Sequence, residues 1–114
     1  MTVEEIVAKL GLQVLTGQAA LQREVTGGYA CDLLSCVMAR ARAGNIWVTL
    51  QAHANVVAVA SLLDLAAVVI TEGVQPDAAT REKAEAEGVA LLTTSKTTYA
   101  VVSELARLGI AASA

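Results

Sequence analysis

The sequence predicts a single α/β domain, a mostly parallel sheet of about four or five strands with helices on its faces, and three observations carry that expectation. Short apolar runs rich in β-branched residues alternate with helical patterns along the chain, as parallel strands and their crossover helices do. The 114 residues are enough for one domain with its own core and too few for two. Apolar residues make up 55% of the chain and charged residues 17%, which is far from the composition of a disordered segment.

The elements follow in order. Thr2-Val-Glu-Glu5 has capping-box spacing and Gly11 can close what it opens, so residues 3–10 form a first helix. Leu12 to Leu15 reads as a short strand, Thr16-Gly17 as a turn, and Arg23 to Thr26 as a short extended piece before the Gly27-Gly28 pair. From Cys31 to Ala43, Leu34, Val37, Met38 and Ala41 fall at i, i+3, i+4, i+7, the stripe of an amphipathic helix that Gly44 ends. Residues 46–50 and 65–70 are continuous apolar runs of strand length. Between them residues 55–63 suit a helix that is apolar nearly all round. Pro76-Asp77 opens a charged helix that stops at Gly88, Val89 to Thr93 is a strand, and Ser95 to Leu108 is a last helix before Gly109.

Composition narrows the function classes. A formal charge of −3, with Lys and Arg thinly scattered, does not build the basic field that a nucleic-acid backbone requires. No apolar run reaches the ~18 residues of a membrane span, and Glu4 and Glu5 do not suit a signal peptide, so a cytoplasmic address is expected. Cys31 and Cys36 are five apart, roughly 140° around a shared helix, and read as small buried hydrophobes, with no metal called for. The chain has no P-loop, no dinucleotide glycine fingerprint and no HExxH, so no cofactor is expected. His53 is the single histidine, and no Ser or Cys stands in a nucleophile elbow, so no catalytic residue is assigned and the chain is not expected to be an enzyme. Glu82, Glu85 and Glu87, interleaved with Arg81 and Lys83, read as a solvated helix face.

Two features offer backbone amides to an anionic small molecule: Gly27-Gly28 and the hydroxyl-rich stretch Thr93 to Thr98. In open α/β sheets ligands bind at the carboxyl ends of the strands. The candidate binding residues are therefore Gln51, His53, Thr71, Thr94, Ser95 and Lys96, with Gly27 and Gly28 beside them. Val56, Val57 and Val59 spread further around helix 55–63 than one packed face can cover, so a homodimer interface is expected there.

The stretch Gln22-Arg-Glu-Val-Thr-Gly-Gly-Tyr-Ala-Cys-Asp-Leu-Leu-Ser35 resembles the signature segment of the DRTGG domain family. Residues 44–51, 55–61 and 88–94 resemble free-standing members as well. Arg23, Thr26, Gly27 and Gly28 are present, whereas Gln22 stands where the family's Asp is expected. The resemblance implies a fold similar to the amino-terminal domain of HPr kinase/phosphorylase, a regulatory or interaction role, and self-association. Related domains accompany the catalytic parts of that enzyme, of some phosphotransacetylases and of CBS-containing inorganic pyrophosphatases, and hold none of their chemistry.

Overall fold

A computed structural model describes residues 1–113. Helix α1 (Val3–Leu10) leads to strand β1 (Gln13–Val14), then a 3-10 turn at Gln18–Ala20. Next come β2 (Gly27–Ala30), α2 (Leu34–Arg40), β3 (Asn45–Thr49), α3 (Ala54–Leu62) and β4 (Ala67–Ile70). Helix α4 (Ala78–Glu87), β5 (Leu91–Thr93) and α5 (Thr98–Arg107) complete the chain. The sheet order is β1-β5-β4-β3-β2; β2 to β5 run parallel, and only β1 is antiparallel, to β5.

Local chemistry sets most boundaries. Thr2 and Glu5 form the reciprocal capping box, and Gly11 ends α1 in the left-handed conformation. Asp77 accepts the Thr80 N–H at 2.8 Å to start α4. That hydrogen bond holds the Asp77 carboxyl below the usual carboxylate range.

The parallel strands are sequential neighbours, so the crossovers α2, α3 and α4 all pack on one face of the sheet. There Val37, Val57 and Ala84 meet Trp47, Val68, Ile70 and Leu91. Helices α1 and α5 cover the other face, with Ile6, Leu10, Val101 and Leu105 against Ile46, Val48, Val69 and Leu92. The alternation of Ile46, Trp47 and Val48 between the two cores is the period of a strand buried on both sides.

Three expectations are corrected. Residues 23–26 do not form a strand of the sheet; the strand begins at Gly27, because pairing with Asn45–Val48 supplies the hydrogen bonds that the glycines' weak local propensity does not. Helix α2 starts only at Leu34, so Cys31 lies outside it, both cysteines are half-buried, and Met38 faces solvent at 48% exposure. Val56, Val57 and Val59, expected to leave apolar surface for a partner, are buried within the chain itself. Helix α3 sits between α2 and α4 over the middle of the sheet, so its neighbours cover the flanks that a singly packed helix would expose.

Candidate functional site

The amino end of the sheet is tied to itself. Arg23 Nη1 meets Asp64 Oδ1 at 2.7 Å and its Nη2 donates to the Asp64 carbonyl at 2.8 Å, holding the turn after α3. The guanidinium, through that hydrogen bond first and its charge second, keeps the Asp64 carboxyl below the usual range. Thr26 Oγ1 donates to the Ala43 carbonyl at 3.0 Å and accepts from Asn45 Nδ2 at 3.3 Å, while Thr26 N donates to the Gly44 carbonyl at 2.9 Å. Gly44 adopts φ +83°, and a Cβ there would come within 2.7 Å of the Thr26 side chain.

Gly27 and Gly28 belong to this end, not to the carboxyl edge where they were expected. Gly28 N donates to the Ala111 carbonyl at 2.9 Å, and Ser113 N donates to the Gly28 carbonyl at 3.0 Å. A Cβ on Gly27 would stand 3.3 Å from the Ala111 carbonyl oxygen. The pair gives room to residues 110–113, and the Gly28 amide is spent on them.

At the carboxyl end the remaining candidates do not converge. Monotonic strand order leaves the parallel sheet without the reversal at which a deep crevice opens. Two shallow depressions replace it. One, of about 510 Å³, lies between the β2–α2 and β3–α3 loops and includes Asp32, Ser35, Gln51, His53 and Asn55. Asp32 organises it: Oδ1 accepts from Thr49 Oγ1 at 2.8 Å and from Leu50 N at 3.0 Å, and the Asp32 carbonyl accepts from Gln51 Nε2 at 3.3 Å. His53 caps α3, its Nδ1 accepting from Asn55 N at 3.1 Å, so the ring proton is on Nε2 in that state. The other depression, of about 440 Å³, lies beside β1 and β5 and includes Gln13, Gln75, Thr94 and Ser95.

Thr71 and Lys96 line neither. Thr71 is fully buried, with its hydroxyl 2.6 Å from Thr98 Oγ1. Lys96 Nζ donates to the Leu10 carbonyl at 2.9 Å and pairs with Glu104 at 2.9 Å, so its charge fastens α1 and α5 to the loop. Asp32, Ser35 and Asn55 were not among the expected residues. Asp32 and Ser35 stand in the quoted signature stretch, but only the adjacency of β2 and β3 shows which loop they face.

Chemically, the edge offers acceptors, hydroxyls and amides; Ser35 and His53 line the same depression, with no hydrogen bond between them among the described residues. Among the described residues no group of three or more His, Cys, Asp or Glu could hold a metal. No helix among them is long and apolar enough to cross a membrane.

The fold is similar to the crystal structure of the CBS and DRTGG domains of the regulatory region of Clostridium perfringens pyrophosphatase, complexed with its activator diadenosine tetraphosphate. The TM-score is 0.75 at 13% identity, covering 91% of this chain and 45% of that one. This chain thus spans under half the length of that structure, and at such identity the likeness is one of fold. Among curated proteins no sequence matches. Residues 5–108 match the DRTGG domain, and the chain belongs to the DRTGG domain family.

Proposed function

We propose that this chain is a non-catalytic regulatory module. The observation that carries the reading is the match of residues 5–108 to the DRTGG domain, whose fold recurs in the regulatory region of a pyrophosphatase. Phosphate release from ATP is the test. No turnover above a buffer blank is expected, and turnover that survives repeated preparations would overturn the reading.

A ligand-sensing role at the same edge is the second reading, supported by the depression around Asp32, Gln51, His53 and Asn55. The structural neighbour is a regulatory region that holds a nucleotide activator, which makes nucleotides and related anions the first molecules to try. Thermal-shift titration with diadenosine tetraphosphate and AMP tests it: a midpoint that rises with ligand concentration supports sensing, and a flat response counts against it. Self-association belongs to the same proposal, and Leu62 places it on the helix where it was expected, through other side chains than Val56, Val57 and Val59. Leu33, Met38 and Leu62, at 60%, 48% and 70% exposure, are the large apolar side chains that the α2 and α3 region leaves uncovered. Light scattering on the wild type and Leu62→Glu checks it. A wild-type monomer at micromolar concentration would remove this part of the proposal.

A further inference from the structure

Away from both depressions, on the face covered by α1 and α5, a third cavity of about 280 Å³ opens beside the edge strand β2. Its floor is Gly28, Ala30 and Val48, one wall is Val102 and Ala106 of α5, and the other is the Ile110–Ser113 segment. That segment runs along β2 and is held to it by the Gly28–Ala111 and Ser113–Gly28 hydrogen bonds. It lies beyond residue 108, where the match to the family stops.

The lining is mostly glycine, alanine and aliphatic side chains, an apolar surface that gains by being covered. Ser113 Oγ, at the rim, is buried and has no hydrogen-bond partner among the described residues. A buried hydroxyl left unsatisfied is uncommon and calls for a group to meet it. Among the described residues no Lys, Arg, Asp or Glu lines the cavity, so a charged molecule would lose hydration without gaining a partner from them.

We propose that this cavity binds a small, uncharged, largely apolar molecule with one hydrogen-bonding group, and that Ser113 Oγ meets that group. An apolar cavity of about 150 Å³ accommodates benzene, so this one has room for roughly ten non-hydrogen atoms. The site is separate from the carboxyl-edge depressions and does not depend on them.

Indole, and its hydrocarbon analogue indene, are the probes, followed through the backbone amide resonances of the full chain. Saturable shifts at residues 28–30, 102–106 and 110–113 are expected with indole, and about fivefold weaker binding with indene, the effect of one hydrogen bond. Ser113→Ala should make the two probes equal. Ala30→Leu, which places a larger side chain on the cavity floor, should weaken both at least about tenfold. If Ala30→Leu does not fold, Ala106→Leu at an exposed position of α5 repeats the experiment. Shifts absent up to the solubility limit, or unchanged by the filling variants, would overturn the proposal. So would shifts of the same amides on raising protein concentration without probe, because a second copy would then occupy the cavity.

Discussion

The two ends of the sheet differ in how their polar groups are used. At the amino end Arg23, Thr26, Asn45 and Asp64 bond to one another and to the backbone of neighbouring turns, and Gly27 and Gly28 admit a segment of the same chain. At the carboxyl end Asp32 uses one carboxylate oxygen for the protein, while Ser35, Gln51, His53 and Asn55 stand exposed around a depression. Arg23, Thr26, Gly27 and Gly28 are thus bonded within the chain, whereas Asp32 and Ser35 of the same stretch stand with the spare hydrogen-bonding groups at the opposite edge. A signature in sequence can record what holds loops together as readily as what binds a ligand.

Substitutions at the two ends should separate them. Gly44→Ala has the largest expected effect, because it combines a left-handed backbone with a collision against Thr26. A loss of about 3 kcal/mol is expected, read as a fall of more than ~10 °C in the thermal midpoint. Thr26→Val keeps the shape but leaves Asn45 Nδ2, on a buried residue, without its acceptor, and should cost about 1–2 kcal/mol in a urea titration.

Arg23→Gln should cost less, about 0.5–1 kcal/mol, since the Arg23 and Asp64 side chains are 33% and 70% exposed and water screens the pair. Its pH dependence carries a sign. The folded state depresses the Asp64 pKa, so the contribution is present in full above the unfolded value near 3.8 and is lost as pH falls through the folded one. The stability gap between wild type and Arg23→Gln should therefore narrow on acidification from about pH 5 to pH 2. The smallest effect belongs to the other end. Gln51→Ala and Asp32→Asn should change stability by no more than about 0.5 kcal/mol, because these side chains are exposed and Asn keeps an acceptor for Thr49 and Leu50. A drop as large as that of Gly44→Ala would erase the distinction between the ends.

How far the sequence reached follows the same physics. The strands Asn45–Thr49 and Ala67–Ile70 were legible because burial on both faces makes them continuous apolar runs. The ends of α1 and α4 were legible because Thr2, Glu5, Gly11, Asp77 and Gly88 cap them locally. Strand β2 was not, since Gly27-Gly28 has no strand propensity of its own and is ordered by Asn45–Val48 and by residues 111–113, far away in sequence. The valines of α3 suggested a partner because all-round apolarity also fits a central place among three helices, and that place is visible only from the strand order. The site suffered in the same way. Gln51 and His53 were named as candidates from the strand end they follow, but their neighbours Asp32 and Ser35 become visible only once β2 is known to lie beside β3.

The division between a scaffolding amino end and a receptive carboxyl end is tested most directly by mapping backbone amide shifts during titration with diadenosine tetraphosphate. Saturable shifts are expected at residues 32–35 and 51–55, with Arg23, Thr26, Gly27 and Gly28 unmoved. Shifts centred on Thr26, Gly27 and Gly28, with the carboxyl edge silent, would contradict it.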